Sequence, residues 1–150
     1  MDITRCSILV CTFNRLEYLK RCIASLLEID FPEYEVIIVD DGSNDGTKEF
    51  LDNIKNDKIK VVHHERNQGI CAAKNTGIKH ANFDIIACTD DDCTVDRNWL
   101  AELLKVLITT KPDSSSAKHF TSTKTIKVIF RSAWSQIKTP NGRAEEISLF

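Results

Sequence analysis

Three consecutive carboxylates, Asp90-Asp91-Asp92, carry the clearest chemistry in this 150-residue chain. Like charges so close repel one another, so the run costs stability unless a cation sits among it. A divalent ion removes the repulsion, and hard oxygen ligands suit magnesium or manganese, which keep several waters and bridge to nucleotide phosphates. The bland alternative is a solvated acidic loop capping a helix that begins near Asp96. Asp40-Asp41-Gly42-Ser43 has the residue types of a tight turn or helix cap. Carboxylates there also accept hydrogen bonds from a base N–H or from ribose hydroxyls. Thr12-Phe13-Asn14-Arg15 adds hydroxyl, amide and guanidinium groups, or simply caps a helix. Between Asn67-Gln68-Gly69 and Lys74-Asn75-Thr76-Gly77, backbone N–H groups and Lys74 either face an anion or leave Lys74 as a solvated surface lysine. His63-His64 is expected to place one ring toward the core and one toward solvent, without a catalytic role.

Positioning these groups falls to alternating strands and helices. Cys6 to Cys11 is a continuous apolar run, as in a strand covered on both faces. Asn14 is expected to cap a helix with Glu17 as its capping-box partner, and Leu16, Leu19, Ile23, Leu26 and Leu27 form one apolar stripe ending at Phe31-Pro32. Glu35 to Val39 is a second strand, followed by a helix over roughly 45 to 55 with Phe50, Leu51 and Ile54 inward. Ile59 to His63 is a third strand. Gly69 to Ala81 reads as helix, with Ile70, Ala73, Gly77 and Ile78 on its inner side. Asp84 to Cys88 is a fourth strand, and a last helix carries Trp99, Leu100, Leu103, Leu104 and Leu107. This alternation means right-handed crossovers and a parallel sheet. Ligands of such sheets bind beyond the carboxyl ends of the strands, where the polar motifs fall after strands one, two and four.

Composition narrows the class further. Apolar residues make up 42% and charged residues 28%, with a net charge of -2. That balance argues against nucleic acid or an anionic membrane as main partner, since both need a clustered basic surface. No apolar stretch approaches the ~20 residues of a membrane span, so no transmembrane segment is expected. Met1-Asp2-Ile3-Thr4-Arg5 lacks a signal-peptide core, and the chain is read as cytoplasmic, free or at the inner face of a membrane. Cys6, Cys11, Cys22, Cys71, Cys88 and Cys93 include no C-x-x-C pair and are read as ordinary buried thiols. After Pro112 the composition shifts. Residues 113–150 hold 11 Ser or Thr and carry +3, against -5 over residues 1–112. Only Thr125 to Phe130 there reads as a further strand, so the division is a domain over 1–112 and a divergent remainder, disordered in part.

Taken jointly, Cys11-Thr12-Phe13-Asn14-Arg15, Val39-Asp40-Asp41-Gly42-Ser43-Asn44-Asp45-Gly46-Thr47, Asn67-Gln68-Gly69 with Ala73-Lys74-Asn75-Thr76-Gly77-Ile78, and Thr89-Asp90-Asp91-Asp92-Cys93 with Trp99-Leu100 are far more specific than any one alone. Their order resembles the nucleotide-binding half of family 2 glycosyltransferases, over about residues 4 to 108. The resemblance implies a GT-A (Rossmann-like) fold, a mostly parallel sheet with helices on both faces, incomplete at the C-terminus. It also implies transfer of a sugar from a nucleoside-diphosphate sugar, usually a UDP-sugar, to a glycan, lipid or protein acceptor, with inversion. The Thr12 segment, with Asn14 and Arg15, would line the base pocket. Asp40 or Asp41 would bind base and ribose, with Asp41 preferred for the base. Lys74 stands where many relatives carry arginine, facing phosphate. Asp90-Asp91-Asp92 matches the D-x-D motif, which holds ribose, diphosphate and Mg2+ or Mn2+. Asp92 is the preferred direct metal ligand, with Asp90 beside it.

Several expectations compete with this one. Glu145-Glu146 is the only late acidic pair, and its surroundings do not resemble the family's general-base motif, so no general base is identified. The chain then reads as a donor-binding half, truncated or altered at its C-terminal end, and a homologue that binds nucleotide without turnover is the alternative. Asp90-Asp91-Asp92-Cys93-Thr94 also fits the D-x-D-x-T of haloacid-dehalogenase phosphatases, but that motif follows a first strand rather than a fourth. G-x-G-x-x-G and G-K-[ST] are absent, against dinucleotide and P-loop enzymes. A receiver-domain acidic pair would stand where Cys11-Thr12-Phe13-Asn14 does.

Overall fold

Side chains alternate across a strand, so a run apolar at every position builds two cores, one on each face of the sheet. The computed structural model describes residues 4–109 and 127–130. Its elements are β1 (Arg5–Thr12), α1 (Leu16–Leu27), β2 (Glu33–Asp40), α2 (Thr47–Asp52), β3 (Ile59–His63), α3 (Ile70–His80), β4 (Ile85–Asp90), α4 (Trp99–Thr109) and β5 (Lys127–Phe130). The sheet runs in the order β3-β2-β1-β4-β5. The first four strands are parallel, and β5 pairs antiparallel with β4. Cys6, Ile8 and Val10 of β1, Val36 and Ile38 of β2, and Ile85 and Ala87 of β4 face one way, against Leu19, Cys22, Ile23 and Leu26 of α1, Leu51 of α2 and Leu100 of α4. Leu9, Ile37, Val39, Ile86 and Cys88 face the other way, against Ala73 and Ile78 of α3. The α/β class, the mostly parallel sheet and helices on both faces are as expected from the sequence.

Register brings the polar residues to one edge. Thr12 pairs with Asp40, Cys11 with Asp90, and Asp40 with His63. The chain winds outward through β1, β2 and β3, then returns to place β4 on the other side of β1. The crevice between β1 and β4 is therefore a topological switch point, where open α/β sheets bind ligands. α3 lies tightly on this sheet because Gly77 has no side chain: a Cβ there would run into Leu9.

Helix ends depart from the expected pattern. Asn14 does not cap α1; it sits at φ 53, and Arg15 occupies the N-cap position without a side-chain cap. The cap comes instead from the next loop, where Asp45 Oδ2 accepts the Leu16 N–H at 3.0 Å. Glu17 pairs with Lys20 at 2.7 Å and closes no capping box. α1 stops at Leu27, before Phe31-Pro32, because tighter bonds from Glu28 to Ser25 and Ile29 to Leu26 end it, and the Arg97 carbonyl takes the Asp30 N–H at 2.8 Å. Near Asp96 the backbone forms a turn, with Asp96 Oδ1 accepting from the Asn98 N–H, and α4 begins at Trp99. Ile70 is exposed rather than inward, since the first residue of α3 projects past the strand ends and meets no sheet. Cys6, Cys22 and Cys88 are buried, whereas Cys11, Cys71 and Cys93 are only half-buried, and all six are free thiols. No helix among the described residues is long and apolar enough to cross a membrane. Apart from Lys127–Phe130, the divergent 113–150 stretch falls outside the described residues, including Thr125, Ile126 and the Glu145-Glu146 pair.

Candidate functional site

Beyond the carboxyl ends of the strands lies a cleft of about 460 Å³, lined by Cys11, Thr12, Phe13 and Arg15 from the end of β1, Asp41 from β2, Asn67, Gly69, Ile70 and Ala73 at the entry to α3, and Asp90 and Asp91 from β4. Thr12, Arg15, Asp41, Asp90 and Asp91 thus meet in one cavity. Asn14, Asp40, Lys74 and Asp92 stand behind or beside this lining. Asn14 Oδ1 accepts the Asn44 N–H at 2.8 Å, and its own N–H donates to Ser43 Oγ at 2.9 Å, so it ties the loops after β1 and β2 together. Asp40 is buried and holds the turn after β2, accepting the Ser43 N–H at 3.0 Å. Lys74 is half-buried and close enough to draw down the pKa of Asp90.

The acidic triplet is not uniform. Asp91 is buried and accepts from Thr12 Oγ1 at 2.8 Å and from Arg15 Nη1 at 3.3 Å. Arg15 also reaches Asp92 Oδ2 at 3.2 Å, on the exposed side. The Asp90 carboxylate accepts no side-chain hydrogen bond among the described residues, while its carbonyl accepts from Cys22 Sγ at 3.6 Å. Burial raises the Asp90 pKa first; Lys74 and Arg15 lower it, while Asp92 and Asp91 raise it again, and the net direction is upward. Asp91 is raised as well, by burial, against the pull of Thr12 and Arg15. Among the described residues no three His, Cys, Asp or Glu side chains converge as a ready-made metal cage. Such a donor set suits a hydrated hard ion whose remaining positions are filled by water and phosphate, not a dedicated all-protein site. Cys93 Sγ donates to Asp92 Oδ1 at 3.7 Å, and the thiols of Cys22 and Cys11 do not soften the site. Burial, followed by the neighbouring acids, pushes Cys22 up to about 12, and burial also raises Cys11, so both stay protonated.

The histidine pair differs most from expectation, since neither ring is a bystander. His63 Nδ1 lies 2.9 Å from Asp40 Oδ2 and its Nε2 lies 3.1 Å from Asp52 Oδ1. His64 Nδ1 lies 2.6 Å from Asp41 Oδ1, and its Nε2 lies 2.9 Å from Thr76 Oγ1. The Gln68 N–H donates to Asp41 Oδ1 at 3.0 Å and the Gly69 N–H to Oδ2 at 2.8 Å. β3 and the loop after it are thereby fastened to both carboxylates at the end of β2. Gly42 permits that closeness: at φ +77 it lies against the backbone of Arg66 and Asn67, which a Cβ would strike at 2.6 Å. Phe13, exposed, and Ile70 give the cleft an apolar rim. A hydrophobic residue directly after a strand, or first in a helix at the sheet edge, is the signal that marks them in the sequence.

Comparison with known proteins places this site in context. A family model described as "Glycosyl transferase family 2" matches residues 7–146. Glycosyltransferase AglE of Haloferax volcanii is 34% identical over 98 residues, covering 63% of this chain and 32% of the relative. The poly-beta-1,6-N-acetyl-D-glucosamine synthase of Staphylococcus epidermidis is 38% identical over 91 residues, covering 60% of this chain and 22% of the relative. The chain therefore spans a third or less of the length of these curated relatives. Among solved structures, the mannosyltransferase PcManGT of Pyrobaculum calidifontis, in complex with GDP-Man and Mn2+, is similar with a TM-score of 0.64 at 27% identity, over 75% of this chain and 34% of that one. S. aureus TarS in complex with UDP-GlcNAc is similar with a TM-score of 0.67 at 23% identity, over 87% of this chain and 46% of that one, a likeness of fold.

Proposed function

The chain belongs to glycosyl transferase family 2 and has the GT-A fold, and from that premise we propose that it binds a nucleoside-diphosphate sugar, a UDP-sugar by preference, as the donor for transfer to a glycan, lipid or protein acceptor with inversion. One observation carries the reading: Thr12, Asp41, Asp90 and Asp91, from the ends of three different strands, line a single cleft at the switch point of the sheet. Asp41 and the segment around Thr12 bind the base. Lys74 supplies positive charge where the diphosphate lies, and Arg15, expected at the base, is turned onto Asp91 and Asp92 instead. Asp90 and Asp92 would hold a magnesium or manganese ion, which would offset the negative charge of the diphosphate. PcManGT, which binds a nucleotide sugar with Mn2+, supports the metal assignment by likeness. Asp91, fixed by Thr12 and Arg15, keeps the triplet's backbone in place.

A second reading, nucleotide binding without turnover, is favoured by the cleft's own carboxylates. Asp41 and Asp91 are held by several donors and Asp90 is assigned to metal, leaving none of the three to take a proton from an acceptor hydroxyl. Binding by site variants tests the donor site under either reading. Asp92→Ala is expected to abolish metal-dependent nucleotide binding, and unchanged binding would remove the metal assignment. Asp41→Ala is expected to weaken binding of the whole nucleotide by about tenfold while metal dependence persists. No effect would reduce that motif to a turn. Turnover of a donor sugar by the chain would exclude the binding-only reading.

A further inference from the structure

We propose that His64 is a specificity-determining positioning residue, which limits Asp41 to a single free acceptor and thereby selects a base offering one N–H. The inference rests on the donor-site reading above. A carboxylate oxygen has two lone pairs. Asp41 Oδ1 receives His64 Nδ1 at 2.6 Å and the Gln68 N–H at 3.0 Å, so it is saturated. Oδ2 receives the Gly69 N–H at 2.8 Å and keeps one lone pair. Asp41 lines the cleft, so that one position is what it offers a ligand. A uracil ring presents a single imide N–H and matches it. A guanine ring presents an N–H and an adjacent amino group, which together ask for both carboxylate oxygens. One of its donors would then be buried without a partner, an arrangement that binding sites reject strongly.

His64 is built to hold this arrangement. Its side chain is 8% exposed, and its N–H donates to the Asp40 carbonyl at 2.9 Å. Because Asp41 only accepts, Nδ1 carries the proton; in the neutral ring Nε2 then accepts from the Thr76 hydroxyl of α3 at 2.9 Å. The ring is pinned between β2 and α3, and Asp41 cannot turn to present both oxygens. Removing the ring donor returns one lone pair to Oδ1, so that each oxygen then has one to offer and the pair can accept from both guanine donors. An asparagine at this position keeps an N–H donor near the place of Nδ1.

Calorimetric titration with UDP and with GDP, both with manganese, tests this on the wild-type chain, His64→Asn, His64→Leu and Thr76→Val, with unfolding curves run alongside. The wild type is expected to favour UDP by about tenfold or more, His64→Asn to retain that preference within about threefold, and His64→Leu to fall below about threefold. A structural role alone would lower stability but leave the ratio of the two affinities unmoved. Thr76→Val, which leaves the ring but loosens it, is expected to lower the ratio by about threefold and decides the matter if His64→Leu does not fold. An unchanged ratio in His64→Leu, or in Thr76→Val should His64→Leu not fold, overturns the inference. Wild-type preference for GDP overturns it too, while leaving the donor site standing. Failure of the folded wild type to bind either nucleotide overturns the donor reading itself.

Discussion

Asp90 is the residue on which the metal assignment turns. Its carboxylate and that of Asp91 have pKa values raised first by burial. A carboxyl raised in the folded state binds its proton more tightly folded than unfolded. Its stabilising contribution is present below the unfolded value of about 3.9 and is lost as pH rises through the higher folded value. Above that window the metal-free fold bears the burial of charged carboxylates, with the repulsion among Asp90, Asp91 and Asp92 added to it. Thermal unfolding without metal should show this as a loss of stability on raising pH across that window, and manganese should restore stability above it. Asp90→Asn should raise the melting temperature of the metal-free chain at pH 7, abolish the gain from manganese, and lower metal-dependent nucleotide affinity by about 100-fold or more. A variant that is less stable without metal would show that Asp90 is held by protein contacts and not by a cation. These acids were legible in the sequence because three adjacent carboxylates need an explanation at once. His64 was not, because what gives it meaning is contact with Asp41 and Thr76, far apart in sequence and joined only by the fold.

Elements were legible where one segment decides its own state, and obscure where two segments share the decision. β1, β2 and β4 follow from apolar runs that bury on both faces; β1 and β2 extend the expected bounds by a residue or two, β3 matches them, and β4 runs from Ile85 to Asp90 against an expected Asp84 to Cys88. The start of α1 was misassigned to Asn14 because its cap arrives from a loop after β2. Asp45 accepts the Leu16 N–H through one oxygen, and through the other the Thr47 N–H at 3.2 Å and Thr47 Oγ1 at 2.6 Å. One carboxylate thus anchors α1 and α2. Burial is the largest single influence and raises its pKa, but the bonds from Thr47 and Leu16 together outweigh it and hold the pKa low. Asp45→Ala should cost about 2 kcal/mol in denaturant unfolding, a cap's worth for each helix. A cost nearer half that would mean only one helix depends on it. Gly77→Ala sets helix propensity, a gain of up to about 1 kcal/mol, against a clash with the buried Leu9. Overpacking costs about 1–3 kcal/mol and should win, leaving the variant less stable. A more stable variant would mean that α3 can lift from the sheet without loss.

For the molecule as a whole, the strand order β3-β2-β1-β4 explains why motifs scattered from Thr12 to Asp91 share one cleft. The reversal at β1 opens the crevice, the parallel pairing points every strand end the same way, and the register aligns those ends. The antiparallel β5 closes over β4 on the far side, which alternation of strands and helices could not foretell because an antiparallel strand needs no crossover helix. Matching only a third or less of its curated relatives, the chain carries a cleft whose proposed donor chemistry can be measured directly. The most direct test is calorimetric titration of the folded chain with UDP in the presence and absence of manganese. Saturable binding of UDP that requires manganese is the predicted result. No binding under either condition, from a chain shown to be folded, would contradict the claim that this cleft is a nucleotide-sugar site.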